Sequence, residues 1–463
     1  MHPTHRLCTP QRDLIPRSMT AHIPLGRDHP LVQTADNLDW EEIKRVAQEI
    51  RRAKLKNAAG RPPRLRATLG AVLFMALRKR PYRETEDIIR YYAPARYFCG
   101  LTETTWTPDF TTIQDFTALM GEDGIKRLNQ YVVGLAVEKK LADPAVVAAD
   151  TTAQEAAVPH PGEIGLMAGY LKSVHAASTT IGHALKGFVQ ATAAQFRTAT
   201  CKAREYRLFA KSKAARDRVL KHMADIVERI NEQLGKELQA ARQRKLTLRK
   251  KSLVAQRKLE QLHQTMRILL PQIRYWLRTG KVASQKIISI HIPQLYSIVR
   301  GKIGKAVEFG LRWGITRLRG GYLLATVAQE RHELLDNRFV QKAVEDLIAV
   351  FGKAPRAFAY DRGGYSTKNL RKLKALGVRQ VALAPRGRTP WPVGQEVRKR
   401  LARERAKIEA GIATIKAARY GFNYPAARSE AMMGACGQRA VLGFNLTKLV
   451  RELAARKGLV LQG

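Results

Sequence analysis

Two short apolar runs, each followed by an aspartate, constrain the fold of this chain more than any other feature. Residues 146–149 (VVAA) lie between Pro144 and Asp150, and residues 357–360 (AFAY) are followed by Asp361. Apolar runs of this length that are bounded by turn formers are typical of fully buried strands. The chain must therefore contain a sheet onto which helices pack.

Further strand and helix signals lie after the first run. Residues 307–311 alternate between apolar and polar or small side chains, "LRGG" is a turn signal and "YLLATVA" has the composition of a returning strand, so we predict a hairpin. A helix over about 337–351 precedes the strand that ends at Asp361. A short helix, the strand "RQVALAP" and helices over about 396–457 complete the order. The predicted fold class is α/β, with a mixed sheet flanked by helices.

Two other regions are predicted to be helical throughout. Residues 37–140 show helical periodicity between Gly and Pro punctuation and predict a small N-terminal helical domain. Residues 171–294 interrupt the sheet domain, which is predicted to consist of residues 141–170 and 295–457, with a long helical insertion. Residues 1–36 are polar, contain proline and lack periodicity, and we predict that they form a flexible tail.

The charge balance indicates a polyanionic partner. The chain has 82 Lys and Arg against 39 Asp and Glu, a formal net charge of +43. Nucleic acid is the simplest partner for such a charge; a ribosome-like or membrane-surface protein is the alternative. Between residues 241 and 281, twelve Lys and Arg face a single acid, Glu260. We interpret this part of the insertion as an arm that binds successive phosphates of a nucleic-acid backbone; a solvated helix face is the alternative interpretation.

Several other classes of protein are disfavoured by the sequence. It has no apolar run of about 18 residues, which a membrane-spanning helix needs, and "MHPTHRLCTP" lacks the apolar core of a signal peptide. We expect a cytoplasmic protein with no membrane partner. The four cysteines are far apart and form no CxxC pair, so zinc and disulfide frameworks are both disfavoured.

Asp150 and Asp361 are the first candidate functional residues. Ligands of open α/β sheets bind at the carboxyl ends of strands, where the pattern predicts both side chains to lie. A carboxylate is costly to bury there unless it is paired or binds a metal ion. The alternative is that each aspartate only opens a turn, which "DRGG" would also fit.

The third candidate acid lies on the predicted helix near the C-terminus. In "RERAKIEAGIATIKAARYGF", Arg405, Glu409 and Lys416 are separated by four and seven residues and share one helix face. Such a face offers a carboxylate with cationic neighbours. Spacing alone equally describes a solvated pair between Arg405 and Glu409, worth a few tenths of a kcal/mol.

Taken in order, these motifs resemble the DDE transposases of bacterial insertion sequences, whose catalytic domain is RNase H-like. "VVAADTT" resembles the first strand of that family with its first Asp, and "AYDRGGYS" resembles the second. The family's Glu lies on a late helix with a basic residue seven positions further on, as Glu409 and Lys416 do here. A subgroup places a Tyr and an Arg before that Glu; Arg405 matches, whereas Ala402 stands at the position of the Tyr.

Further segments carry the same resemblance over residues 40–457. They are "GRPPRLRATLGAVLFMAL" and "WTPDFTTIQDF" in the N-terminal region, "IVRGKIGKAVEFGLR" before the hairpin, and "GQRAVLGFNLTKLVREL" near the end. The resemblance implies an RNase H-like catalytic domain after an N-terminal helical DNA-binding domain. The long basic insertion is not universal in the family.

The resemblance also implies a chemistry. Asp150, Asp361 and Glu409 would bind Mg²⁺ or Mn²⁺, with two ions clamped between them during phosphodiester cleavage and strand transfer. Arg405 and Lys416 would contact phosphates near the cut. The implied partner is double-stranded DNA, bound by a homo-oligomer in the bacterial nucleoid. The alternatives are a catalytically inactive DNA-binding relative and a metal-dependent DNA nuclease. For the insertion, the residues that we expect to contact DNA are Arg249, Lys250 and Lys251.

Overall fold

A computed structural model of the chain describes two compact units. One contains the residues up to Thr117 together with those from Leu449 onward, and the other contains Ala118–Lys448. The described residues are 25–456, apart from residues 27, 55–63, 159, 244–249, 303–304, 329–333, 386 and 388. Within these ranges, none of the helices combines the length and apolar character that crossing a bilayer requires.

The N-terminal region is helical, as predicted. Its helices are α1 (Pro30–Asn37), α2 (Trp40–Lys54), α3 (Leu65–Arg78), α4 (Tyr82–Tyr91), α5 (Ala93–Phe98) and α6 (Phe110–Glu138). Helix α6 is kinked at Gly121, whose backbone is non-helical with a φ of 61°, and it continues into the second unit.

Helix α1 begins inside the segment predicted to be a tail. Leu31, Val32 and Ala35 are buried, and the His29 side chain accepts a hydrogen bond from the Leu31 N–H at 3.2 Å. Pro30 occupies the first turn, where its missing N–H costs nothing. The tail predicted for residues 1–36 therefore does not extend to residue 36. The helix has only eight residues, too few for a clear periodicity in the sequence.

The second unit is built on one mixed sheet. Strand β1 (Asp143–Glu155) is central, with β3 (Lys305–Arg319) antiparallel on one side and β5 (Ala357–Tyr360) parallel on the other. Strands β2 (Tyr296–Lys302) and β4 (Leu323–Val327) both pair antiparallel with β3, and β6 (Gln380–Leu383) pairs parallel with β5. The α/β fold class and the predicted hairpin, β3–β4, are confirmed; β2 is a strand that the sequence analysis does not predict.

Helices flank the sheet. Helices α11 (Asp336–Phe351) and α12 (Thr367–Ala375) precede β5 and β6, and α13 (Gln395–Lys416) and α14 (Glu430–Arg456) follow the last strand. Leu401, Ile408 and Ile415 of α13 pack against one face of the sheet, in a core that includes Ala148 and Trp313. Gly314, which follows Trp313 in β3, lies against Phe339 of α11. A side-chain carbon at residue 314 would be only 2.0 Å from the Phe339 ring.

The insertion between β1 and β2 is a helical bundle. It consists of α7 (Glu163–Ile181), α8 (Lys186–Leu208), α9 (Lys213–Gln243) and α10 (Lys250–Thr279). These helices enclose a hydrophobic core of their own, in which Tyr170, Met223, Leu234 and Met266 are almost fully buried. The apolar positions of the insertion therefore line the inside of a packed bundle.

One strand boundary differs from the prediction. The sequence suggests that β1 ends at Asp150, but the strand continues to Glu155. Residues 151–155 remain paired with residues 310–314 of β3, and buried Gln154 is satisfied by hydrogen bonds with Trp313 and with the Met433 carbonyl. Polar residues extend the strand because partners distant in sequence satisfy them, which an apolar run cannot reveal.

Candidate active site

Asp150 and Asp361 meet at the sheet edge where the parallel pair β1–β5 ends. Ala148 pairs with Ala359 in this ladder, and continuing the register by two residues brings Asp150 beside Asp361. Asp361 directly follows β5 and caps a short 3-10 turn (Arg362–Gly364), accepting a hydrogen bond from the Gly363 N–H at 2.9 Å. Asp150 lies within β1 and accepts from the Thr151 N–H at 2.7 Å.

The surroundings of these two carboxyl groups disfavour their anionic forms. Burial raises the pKa of Asp150 to about 6, reinforced by the negative charge of Asp361; the Thr151 N–H and Arg405 act in the opposite direction. Burial also raises the pKa of Asp361, as does the charge of Asp336. Among the described residues, no Lys, Arg or His forms an ion pair with Asp150 or Asp361. The pair therefore carries charge that the fold does not compensate.

A third carboxylate, Asp336, lies next to this pair and is not predicted from the sequence. It is the first residue of α11, and it accepts a hydrogen bond from the Thr151 hydroxyl. Its carboxylate also lies against Gly363, where a side-chain carbon would be 2.5 Å from Asp336 Oδ2. Glycine at 363 therefore permits the turn after β5 to approach α11 closely.

The strand directions explain why Asp336 lies at this edge. Strand β4 is antiparallel to β3, which is antiparallel to β1, so β4 runs in the same direction as β1 and β5. The helix that follows β4 therefore begins where the parallel pair ends. An acid at the start of a helix is usually a favourable neighbour of the helix dipole, and for that reason Asp336 gives no distinctive signal in the sequence.

Tyr360, the last residue of β5, presents an unsatisfied group to the same place. Its side chain is 1% exposed, and its hydroxyl has no hydrogen-bond partner among the described residues. Burial raises the pKa of this hydroxyl, and the charges of Asp336, Asp150 and Asp361 raise it further. The phenol therefore remains protonated, as a buried donor within electrostatic reach of three carboxylates.

The predicted third acid, Glu409, lies on α13 and is more exposed to solvent than Asp150 and Asp361. Arg405 Nη2 donates to Glu409 Oε1 at 3.0 Å, and the two side chains are 41% and 61% exposed. The charge of Arg405 lowers the pKa values of Asp150 and Asp361, so this arginine lies within electrostatic reach of the strand-end acids. Glu409 is held by Arg405, and Lys416 is the last residue of the helix.

A second glutamate of α13, Glu404, has a different environment. It accepts hydrogen bonds from Arg317 at 2.7 Å and from Lys407 at 2.8 Å. Burial opposes its ionisation, but the hydrogen bonds from Lys407 and Arg317 lower the pKa of Glu404 overall. Two cations neutralise it, so its carboxylate is already fully used by the fold.

The predicted DNA-contacting residues of the insertion are only partly described. Arg249 lies outside the described residues, and of Lys250 only the backbone, at the start of α10, is described. Lys251 is exposed on the same helix. All three belong to the insertion bundle rather than to the elements that carry the acids.

The acids at the sheet edge fit a hard divalent cation by their chemistry. Within the described ranges, no three Asp, Glu, His or Cys side chains already converge tightly enough to hold a metal ion. The candidate donors are nevertheless all carboxylate oxygens, the ligands that Mg²⁺ and Mn²⁺ prefer. Their charge is uncompensated, and the orphaned Tyr360 hydroxyl beside them requires an oxygen acceptor.

The comparisons with known proteins concern the N-terminal region. Residues 17–119 match the family model described as a transposase domain (DUF772). No curated protein and no solved structure matches the chain. The match supports the transposase part of the resemblance on residues that lie entirely before Asp150, and it leaves the roles of the acids as predictions.

Proposed function

We propose that this chain, which carries a transposase domain at residues 17–119, is a DNA transposase that cleaves and joins DNA at an RNase H-like site on the sheet edge. The observation that supports this most directly is the buried, uncompensated pair of Asp150 and Asp361. The proposed substrate is double-stranded DNA at the ends of a mobile element and at its target. A homo-oligomer that pairs two ends in the bacterial nucleoid would suit this role.

Asp150, Asp361 and Glu409 would hold Mg²⁺ or Mn²⁺, in a site for two ions. When bound, these ions would stabilise charge on the attacking and leaving oxygens and lower the pKa of the attacking water. The apolar floor of the site, which includes Ala148 and Ala359, is almost fully buried. It strengthens the electrostatic interactions by excluding water from beneath the carboxylates.

Arg405 would exchange its partner during the reaction. Its pair with Glu409 is exposed, and exposed pairs of this kind are weak. A DNA phosphate near Arg405 would replace the Glu409 carboxylate with a bidentate acceptor, and Glu409 would then be able to turn towards the strand-end acids. Lys416, on the same helix, would contact a neighbouring phosphate.

The insertion bundle would supply part of the DNA affinity. Arg274 is already paired with Asp225 and Glu228 of α9. Lys251, Arg257 and Lys258, by contrast, are exposed on α10, and within the described part of the chain none of the three forms an ion pair. Exposed, unpaired cations are the groups that release counterions when they meet phosphates.

Strand cleavage by Asp361→Asn protein tests the proposed chemistry. Asparagine keeps the acceptor for the Gly363 N–H but loses the charge, so we expect no cleavage of DNA carrying the element's ends in Mg²⁺. DNA binding should persist because the basic surface supplies it. Asp346→Asn is a matched control, since Asp346 is a half-buried aspartate already paired with Lys342.

The outcomes of this assay separate the alternatives. Full cleavage by Asp361→Asn protein would contradict the assignment. Cleavage by the wild type without joining of ends to target DNA would indicate a metal-dependent nuclease. Binding without any metal-dependent cleavage by the wild type would indicate an inactive DNA-binding relative.

The salt dependence of DNA binding tests the insertion. Replacing Lys251, Arg257 and Lys258 with Gln should reduce the slope of log K against log salt by up to about 0.9 for each phosphate that the variant no longer neutralises. Arg274→Gln is the control, because its charge is already balanced by Asp225 and Glu228. An unchanged slope in the triple variant would indicate a solvated helix face.

A further inference from the structure

The strand-end acids have a neighbour that the proposed transposase site does not use. Asp336 joins β1 to the turn after β5, because it accepts a hydrogen bond from Thr151 and lies against Gly363. Its charge is close enough to act on both Asp150 and Asp361. Three carboxylates therefore lie within electrostatic reach of one another at the end of the parallel pair.

An acidic cluster alone does not define a ligand site, but the Tyr360 hydroxyl is an independent observation. A buried hydroxyl without a hydrogen bond destabilises a fold, and this one has no partner among the described residues although the charges of Asp336, Asp150 and Asp361 all act on it. The Thr151 hydroxyl lies near the phenol and donates its proton to Asp336, but the geometry of the two side chains makes no hydrogen bond between Thr151 and Tyr360. The missing acceptor is most simply an oxygen atom of whatever occupies the cluster.

We propose that the cation site at this sheet edge includes Asp336 and Tyr360. Asp336 contributes a third negative charge that attracts the cation, and the Tyr360 phenol donates a hydrogen bond to an oxygen atom that enters with it, a water or a phosphate oxygen. The inference rests on the proposed function, because it enlarges the same site.

The competing explanation is that Asp336 only fastens Thr151 to the start of α11. Asp336→Asn distinguishes the two roles, because asparagine keeps an acceptor oxygen for the Thr151 hydroxyl and removes only the charge. A structural role would survive this change, whereas a role in attracting a cation would not.

The test is Mn²⁺ binding to the purified full-length chain, measured by the loss of the free-ion electron paramagnetic resonance signal with no DNA present. We expect Asp336→Asn to weaken Mn²⁺ binding by about 10-fold or more, the usual effect of losing a group that supports a metal site. Asp346→Asn should bind within about twofold of the wild type. Asp346 is a close match for Asp336, because it also lies on α11 and also accepts a hydrogen bond from a threonine hydroxyl of a strand, that of Thr326 at 2.8 Å. It differs in that Lys342 balances its charge.

Tyr360→Phe tests the phenol without changing any charge. Removing an unsatisfied hydroxyl should raise the thermal midpoint of the metal-free protein. Mn²⁺ should then raise that midpoint less than it does in the wild type, and Mn²⁺ affinity should fall by about 2- to 10-fold. Metal-free stability and Mn²⁺ response equal to the wild type would overturn the role assigned to Tyr360.

Asp361→Asn separates failure of this inference from failure of the proposed function. Loss of Mn²⁺ binding in Asp361→Asn, together with unchanged binding in Asp336→Asn, would overturn the inference and leave the proposed site standing. Unchanged binding in both variants would overturn both. Weakened binding in both, with Asp346→Asn unaffected, is the expected result.

Discussion

The sheet edge and the inner face of α13 both carry acids, but within the described part of the chain only the acid on α13 has cationic hydrogen-bond partners. Glu404 of α13 is 11% exposed and receives hydrogen bonds from Arg317 and Lys407. Asp150, at the sheet edge, has a pKa that burial raises to about 6, and the charges of two other carboxylates, Asp361 and Asp336, reinforce this effect. One acid is an internal ion-pair partner, and the other is a buried charge without a counter-ion.

This difference is instructive because the chain has no shortage of cations. With 82 Lys and Arg against 39 Asp and Glu, a basic partner could have been placed beside every acid. Among the described residues, however, Asp150, Asp361 and Asp336 form no ion pair. An acidic cluster without an ion-pair partner in so basic a protein is the pattern that the proposed cation site predicts.

The largest expected effect is on the paired acid. Glu404→Ala should lower the free energy of unfolding by about 3–5 kcal/mol, because it leaves the Arg317 guanidinium, which is largely removed from solvent, without its partner. Urea denaturation of the metal-free protein measures this change. The double variant Arg317→Met/Glu404→Leu should recover most of the loss, since it removes both charges. A loss of less than about 1 kcal/mol in Glu404→Ala would show that the pair is not buried in solution.

The second expected effect, on replacing Asp150, is an increase in the free energy of unfolding rather than a decrease. A carboxylate whose pKa rises from about 3.9 in the unfolded chain to about 6 in the folded chain favours folding only while protonated. Its contribution is present below about pH 4 and is lost as the pH rises through 6. Asp150→Asn should therefore stabilise the metal-free protein by about 2–3 kcal/mol at pH 7.5, while keeping an acceptor for the Thr151 N–H.

The pH dependence of unfolding checks this prediction. In EDTA, the stability gap between Asp150→Asn and the wild type should close as the pH falls from 7 to 4. Asp346→Asn, whose acid is paired with Lys342, is the control and should show no such gap. A gap that did not depend on pH would mean that Asp150 is not an uncompensated charge.

Much of the sheet can be predicted from local sequence, because strands β3 to β6 show apolar alternation or short apolar runs between turn signals. The extension of β1 beyond Asp150 cannot, since Thr151 and Gln154 become strand residues through pairing with β3. Helix α1 escapes prediction for a related reason: its stability comes from buried contacts of Leu31 and Val32 rather than from a long periodic pattern.

The proximity of Asp150 and Asp361 is predictable, because both follow apolar strand segments and parallel strands end at one edge. Asp336 can be found only by deducing that β4 runs parallel to β1, which requires the pairing of the hairpin with β1 to be known. In the sequence, Tyr360 resembles an ordinary core aromatic. Its missing hydrogen-bond partner is a property of the packed structure alone.

The smallest expected effect on stability concerns Glu409, and it bears most directly on the site. Glu409→Gln breaks only an exposed pair with Arg405, so the free energy of unfolding should change by about 0.5 kcal/mol or less. Cleavage of DNA in Mg²⁺ should nevertheless fall by about 10- to 100-fold or more if Glu409 turns into the site.

Glu396→Gln is the matched control for Glu409→Gln. Glu396 lies on the same helix, is 89% exposed and pairs with Lys399 at 3.5 Å, so its loss should leave both stability and cleavage unchanged. Equal cleavage by the two variants would mean that α13 supplies no acid to the reaction. Asp336 would then be the third carboxylate of the site, because it is already beside Asp150 and Asp361, whereas Glu404 is neutralised by Arg317 and Lys407.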